Sequence, residues 1–179
     1  MPGAVLKLGD RFEVELVGAE AGLARLAAAA GKLGDATPLY DAIGAAMVLS
    51  TQQRFENEID REGNPWPMSI RVKLGGGKTL TDSAHLRNSL THEATANSVA
   101  IGTNVIYAAV HQFGATIRPV HAKALAFMLG EEEVHAQVVH IPRRAFLGIN
   151  ADDEAQIIDI VGDFIVGPVA APAGAADAG

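Results

Sequence analysis

The sequence of 179 residues contains no cysteine. This absence excludes disulfide bonds, thiolate zinc sites and cysteine nucleophiles, and it is compatible with assembly in a reducing cytoplasm. Long hydrophobic runs are also missing, because no stretch reaches the roughly 20 apolar residues that a membrane-spanning helix needs. We therefore expect neither an integral membrane protein nor a membrane partner.

Positive charge is scarce as well. The chain has 14 lysines and arginines against 21 aspartates and glutamates, which gives a net charge of −7. The balance is −4 over residues 1–60, +3 over residues 61–120 and −6 over residues 121–179. A sequence-specific DNA-binding protein concentrates basic residues in one patch, and the mild excess in the middle third falls short of that. An acidic surface suits a channel through which DNA slides without sticking.

The remaining composition is that of a folded protein. Apolar residues make up 49% and charged residues 20% of the chain, which excludes wholesale disorder. The length fits one domain, which we place at residues 1–167. Residues 168–179 are rich in alanine, glycine and proline, so we predict an appended tail that is free or ordered only by a neighbour.

Hydrophobic periodicity predicts the elements of the first half. Alternating apolar residues indicate a strand over residues 12–17, and an alanine-rich stretch indicates a short helix over residues 19–30. A long helix is predicted over residues 37–61, with Thr37 as its cap. The glycine and proline of residues 63–65 are expected to end this helix.

The second half predicts shorter elements and a C-terminal helix. Residues 105–110 would also suit a buried strand, but a short helix over residues 105–113 is favoured, in which Ile106, Ala109, Val110 and Phe113 share one apolar face. The pattern favours an α+β fold, in which a small, mostly antiparallel sheet packs against the long helix and the C-terminal helix. The predicted elements are two strands (86–91 and 98–102), a short helix (105–113), a hairpin (125–129 and 135–141) and a last helix capped by Asn150 or Asp152.

Signals for catalysis or metal binding are weak. Gly-Lys-Thr at residues 77–79 matches the end of a phosphate-binding loop, but Val72 stands where that loop requires glycine. His121, His135 and His140 could converge on a zinc ion, although histidines on exposed strands are commoner than metal ligands. We therefore assign no catalytic, metal-binding or cofactor-binding residue, and we expect a protein that is not an enzyme.

Six segments, taken in chain order, carry a family resemblance. The most specific are Tyr-Ala-x-x-His-Gln-Phe-Gly at residues 107–114 and Pro-Arg-x-x-Phe-Leu-Gly at residues 142–148. The series resembles the phage virion morphogenesis, or tail completion, proteins of Mu-like and P2-like tailed phages, over roughly residues 37–165. The other four segments are Arg54-Phe55, Gly63-Asn64-Pro65-Trp66, residues 80–89 and Ile101-Gly102-Thr103-Asn104.

The resemblance implies a structural role at the joint between phage head and tail. Such proteins cap a finished tail tube as an oligomeric ring, commonly of six subunits. The implied partners are further copies of the chain, the tail tube protein and head–tail connector or stopper proteins, with the sheath as a further candidate. Genomic DNA would pass through the lumen without specific binding, and the protein would reside in the virion neck after assembly in the host cytoplasm.

The two specific segments and the tryptophan loop supply candidate motif or interface residues. Phe113, Phe146 and Leu147 are expected to lie in the core, where Phe113→Ala would cost about 3–5 kcal/mol. His111 and Gln112 either hydrogen-bond strand edges or face a neighbouring subunit. The full set is Trp66, Tyr107, His111, Gln112, Phe113, Gly114, Pro142, Arg143, Arg144, Phe146, Leu147 and Gly148.

Charge and position suggest roles for three more members of this set. At least one of Arg143 and Arg144 is expected to pair with an acidic side chain, in the same chain or across subunits. Trp66 either covers the long helix or anchors an interface, and the covering role is favoured.

Alternatives to the tail completion role stay open. A connector or stopper protein would belong to the same structural class. A DNA-contacting module would bind through basic side chains, and its affinity would fall steeply with salt. A hydrolase or nucleotide-binding protein would lose its activity on Lys78→Ala. The basic residues of the DNA-contacting alternative are Arg71, Lys73, Lys78 and Arg87.

Overall fold

The computed structural model describes residues 5–8, 12–15 and 35–166, with side chains placed for residues 35–166. The helix predicted over residues 19–30 and the tail predicted over residues 168–179 lie outside this part. The described helices are α1 (Thr37–Asn57), α2 (Ile70–Gly75), α3 (His85–Asn88), α4 (Ala108–Phe113) and α5 (Ala151–Val166). The described strands are β1 (Val5–Leu8), β2 (Phe12–Glu15), β3 (Thr91–Ala94), β4 (Val99–Thr103), β5 (Ala115–Ile117), β6 (Leu125–Leu129), β7 (Glu132–Ala136) and β8 (Val139–Ile141).

A four-stranded sheet in the order β2-β1-β4-β3 supports the core. The β1–β2 and β3–β4 pairs are antiparallel, whereas β1 and β4 run parallel. Helix α1 packs against β3 and β4, and α5 packs against α1. The predicted α+β class is confirmed. Among the described elements, α5 packs mainly against α1. It has no more than isolated contacts with the strands.

Helix α1 starts where it was predicted and ends earlier. The carboxylate of Asp35 accepts hydrogen bonds from the backbone N–H of Thr37 at 3.0 Å and from its hydroxyl at 2.7 Å. Thr37 is therefore the first helical residue, and Asp35 supplies the oxygen that was predicted to come from Thr37. The helix stops at Asn57 because Glu58 adopts a left-handed conformation with φ of 55°. The predicted end at residue 61 is wrong.

The strand predicted over residues 86–91 is wrong over most of its length. Residues 85–88 form the single turn α3, and the strand begins only at Thr91. Leu86 is buried within this turn, and Leu90 is buried between the turn and the strand. The strand predicted at residues 98–102 is confirmed as β4, and it pairs antiparallel with β3.

Helix α4 exists, but its predicted buried face is wrong. It buries Ala108 and Gln112. Ile106 precedes the helix and is 93% exposed, and Phe113 is 49% exposed. A polar glutamine thus occupies the core side of the helix, while apolar residues at its two ends reach solvent.

Residues 115–141 form one long, nested β-hairpin, which we call the arm. At its base β5 pairs with β8, and farther out β6 pairs with β7, both antiparallel. The predicted hairpin is confirmed at β6, whereas its return strand is split into β7 and β8. No residue from 113 to 143 is buried, so the arm lies outside the core. In the described part of the chain, no helix is long and apolar enough to cross a membrane.

Candidate functional site

The two most specific segments of the sequence lie side by side at the base of the arm, and Gln112 joins them. Its side-chain carbonyl accepts hydrogen bonds from the backbone N–H groups of Phe146 at 2.9 Å and Leu147 at 3.0 Å. Its side-chain NH2 donates to the backbone carbonyl of Leu147 at 3.0 Å. Residues 142–150 belong to no helix or strand, so the buried Gln112 amide satisfies backbone groups that a sheet would otherwise satisfy. Of the two roles left open for Gln112, the structure shows hydrogen bonding within the chain.

Gly114 and Arg143 mark where the arm leaves the core and returns to it. Gly114 has φ of +75°, and a Cβ atom there would lie 3.0 Å from the backbone N of Arg143. The backbone N–H of Arg144 donates to the carbonyl of His111 at 2.7 Å. The two ends of the arm are therefore held against each other at a position that only glycine fits without strain.

Trp66 and Phe146 both pack against Phe55. The rings of Phe55 and Trp66 meet edge to face at 5.2 Å, and those of Phe55 and Phe146 are tilted at 5.2 Å. The indole N–H of Trp66 donates to the carbonyl of Ala145 at 3.0 Å. The covering role favoured for Trp66 is confirmed, as is the core position of Phe146 and of Leu147.

A buried ion pair between Arg54 and Asp153 connects α1 with α5. Both side chains are 4% exposed. Arg54 also donates to the carbonyls of Phe146 at 3.0 Å and Gly148 at 2.7 Å, so it holds the second motif segment as well. Burial lowers the pKa of Arg54, and the charge of Asp153 opposes that effect. Removing one partner of such a pair leaves an uncompensated buried charge, which costs about 3–5 kcal/mol.

The role of Asp153 was missed at the level of sequence. Asp152, Asp153 and Glu154 share the first turn of α5, where acidic residues usually face solvent and favour the helix dipole. The sequence signal that distinguishes Asp153 from Asp152 and Glu154 is its position three residues after Asn150. The Asn150 side chain accepts from the N–H of Asp153 at 2.8 Å, and the Asp153 carboxylate accepts from the N–H of Asn150 at 3.0 Å. This reciprocal cap confirms Asn150 as the N-terminal cap and turns Asp153 towards Arg54.

His111 and the two arginines behave differently from expectation. Arg144 is buried and donates to the carbonyl of Pro67 at 2.6 Å, while Arg143 donates to the carbonyl of Gln112 at 3.3 Å. Among residues 35–166, neither arginine pairs with an acid, and the expected pairing, within the chain or across subunits, stays a prediction. Burial and the charge of Arg144 lower the pKa of His111, whose Nδ1 atom is buried without a hydrogen-bond partner there.

Three of the four basic residues of the DNA-contacting alternative are engaged within the chain. Lys78 and Arg87 both pair with Glu56, and Arg71 lies 3.4 Å from Asp82. The basic middle segment is therefore partly neutralised. His140 faces Thr116 at 2.9 Å and His135 lies 3.5 Å from Glu133. Within the described residues, no group of three or more histidines and acids is arranged to hold a metal ion.

Comparison of the sequence with known protein families identifies one family that matches most of the chain. The model of the phage virion morphogenesis family matches residues 14–165. The chain belongs to the phage virion morphogenesis family. Both motif segments, the Arg54–Asp153 pair and the whole arm fall within the matched region. The resemblance deduced from the ordered segments is thus confirmed.

Two curated relatives extend the comparison. Over 154 residues the chain is 29% identical to "Mu-like prophage FluMu G protein 2" of Haemophilus influenzae, an alignment that covers 86% of this chain and 95% of the relative. Over 128 residues it is 27% identical to "Putative capsid assembly protein G" of Escherichia phage Mu, covering 66% of this chain and 72% of the relative. No solved structure gives a significant match. The family therefore assigns the chain to phage virion morphogenesis.

Proposed function

We propose that this protein is a tail completion, or tail terminator, protein that assembles as a ring at the phage neck. The match to the virion morphogenesis family over residues 14–165 carries this proposal. The ring caps the tail tube and joins it to the head. Its partners are further copies of the chain, the tail tube protein and the connector or stopper above it, with the sheath as a neighbour in contractile tails.

The division of the chain into core and arm supports an assembly role. At the base of the arm, the polar groups of Gln112 and of the Arg54–Asp153 pair bind within the chain. Large apolar side chains instead remain exposed around that base and on the arm, including Ile106, Tyr107 and Phe127. Exposed apolar surface of this kind marks contact with other proteins.

The charges favour a ring that DNA traverses over a module that grips DNA. The chain carries a net charge of −7, and Glu56 pairs with both Lys78 and Arg87. We therefore expect the lumen of the ring to be lined by acidic residues. Genomic DNA passes such a wall without being held, because binding to phosphates requires a basic surface.

A second candidate within the same class is a connector or stopper protein on the head side of the neck. The phage Mu relative carries the name "Putative capsid assembly protein G", and that name favours a role closer to the capsid. The two roles predict different defects when the protein is missing, in the tail for a tail completion protein and in the head for a stopper.

Deleting the gene from its phage or prophage separates the candidates. A tail completion protein leaves filled, stable heads and unjoined tails of irregular length, whereas a stopper leaves heads that lose their DNA. Expression of the intact chain in trans restores joining in either case. Fully infectious particles without the protein would contradict both. Native mass spectrometry of the purified chain tests the ring directly, and six copies of 18.6 kDa give about 112 kDa.

A further inference from the structure

The outer hairpin of the arm has one apolar face. In β6, alternate residues share a face, which places Leu125, Phe127 and Leu129 together. The register pairs Phe127 with Val134 and Leu125 with Ala136, so the same face continues on β7. Within the described chain, β6 and β7 have only isolated contacts with elements other than each other. A two-stranded hairpin is marginally stable in water unless a further strand or a helix covers its apolar face.

Helix α2 has an exposed apolar face. None of the residues Ile70–Gly75 is buried. Ile70 and Leu74, four residues apart, lie on one helical face, and Leu74 is 64% exposed. A helix of six residues has little stability of its own in water. An apolar surface laid against Ile70 and Leu74 would stabilise it.

Charge favours α2 over the exposed apolar surface of α5. The arm carries three exposed glutamates at its tip, residues 131–133. Next to Leu74, Lys73 is exposed and has no ion-pair partner among residues 35–166. The outer face of α5 exposes Ile158 and Ile165, but residues 152–163 also carry five acids. An acidic tip is attracted to the first surface and repelled by the second.

We propose that the arm of one subunit docks on α2 of a second copy of this chain, with Phe127 against Leu74 and the glutamates of residues 131–133 near Lys73. This inference rests on the ring proposed above. The contact joins two different surfaces of the subunit, so each copy offers an arm on one side and an α2 surface on the other. Such a head-to-tail contact repeats until the ring closes.

The absence of cysteine allows a clean test by disulfide crosslinking. Phe127→Cys in one preparation of the full-length chain and Leu74→Cys in another are mixed and oxidised. A disulfide forms only where the two Cα atoms come within about 7 Å. We expect covalent dimers in the mixture and none in either preparation alone. A chain carrying both substitutions should give a ladder of covalent oligomers up to the full ring. Met128→Cys, one residue along on the opposite face of β6, replaces Phe127→Cys as the matched control and should crosslink to Leu74→Cys far less.

A second variant measures association without a disulfide. Phe127→Asp should raise the dissociation constant of the oligomer about 10- to 100-fold, the equivalent of burying one phenylalanine side chain. Its melting temperature as a monomer should match that of the unmodified chain, because the arm contributes nothing to the core. An unchanged dissociation constant would contradict the docking proposal.

The outcomes also separate this inference from the proposed function. If rings of normal mass form but no disulfide joins positions 127 and 74, the proposed docking of the arm on α2 is wrong, whereas the proposed ring is supported. Crosslinking by Phe127→Cys alone would show arm against arm, and crosslinking only to the tail tube protein in assembled particles would show a different occupant; either result overturns the inference. A chain that stays monomeric at every concentration and on tail tubes defeats both proposals.

Discussion

The region around Phe146 and the arm of residues 115–141 differ in what their side chains contact. Around Phe146, each polar group of Gln112, Arg54 and Asp153 has a partner in the chain, and the aromatic rings of Phe55 and Trp66 close the core. In the arm, backbone pairing is complete within its two ladders, but no side chain is buried. The arm is thus held by hydrogen bonds along its length and by its two ends alone.

This difference implies that the buried core determines the stability of the monomer, whereas the arm determines its association with other surfaces. Burial of apolar surface is the dominant favourable term in folding, so the free energy of unfolding of the monomer depends on the buried core, to which Phe146 belongs. The arm gains the same term only when another surface covers it. Substitutions in the two regions should therefore be read by different measurements, unfolding for the first and association for the second.

The largest contrast is expected among three phenylalanines. Phe146→Ala should lower the free energy of unfolding by about 3–5 kcal/mol, because a fully buried ring leaves a cavity. Phe113 is half exposed, so Phe113→Ala should cost only about 1 kcal/mol, which replaces the larger cost expected from the sequence. Phe127→Ala in the arm should change the free energy of unfolding by less than about 0.5 kcal/mol. Urea unfolding of the three variants as monomers gives the ranking. A cost for Phe127→Ala comparable with that for Phe146→Ala would show that the arm is part of the core.

The next contrast concerns two glutamines. Gln112→Ala removes the partners of three backbone groups of Phe146 and Leu147, and should cost about 2–4 kcal/mol, since unsatisfied buried groups are expensive. Gln137 in the arm donates to the carbonyl of Lys123 at 2.8 Å in an exposed position, and Gln137→Ala should cost less than about 0.5 kcal/mol. Amide hydrogen exchange should also speed up at Phe146 and Leu147 in the first variant and stay unchanged in the second. Equal costs would mean that the Gln112 amide does not hold the second motif segment.

The elements of the fold could be predicted where one periodic pattern covers several turns. Helix α1 and the stripe of Ile157 and Val161 in α5 are of this kind. The turn α3 could not be separated from a strand, because four residues carry too little periodicity. The end of α1 was misplaced because a non-glycine residue, Glu58, adopts the left-handed conformation there, and sequence patterns place glycine in that role.

The candidate site could be predicted as a set of segments but not as a set of contacts. The ordered motifs placed Gln112 and Phe146 in the same site, and the structure joins them. The pairing of Arg54 with Asp153 spans almost a hundred residues of chain, and no local pattern reports a contact of that range. Phe113 was assigned to the core because it would share an apolar helical face with Ala109 and Val110. The helix turns Gln112 inward instead, since the backbone of residues 146–147 requires its amide.

The smallest effect is expected at the boundary between the two regions, where His111 meets Arg144. Because burial and the charge of Arg144 lower the pKa of His111 in the folded chain, the unfolded chain binds a proton at a higher pH than the folded chain does. The free energy of unfolding therefore falls as the pH drops below the ordinary histidine pKa near 6.5, and above that value His111 has no effect on its pH dependence. In His111→Gln this contribution is absent, so its melting temperature should fall less than that of the unmodified chain between pH 7 and pH 5. His135→Gln, an exposed position in the arm, serves as the matched control and should follow the unmodified chain. Identical pH profiles for all three proteins would mean that His111 takes up a proton as readily in the folded chain as in the unfolded one.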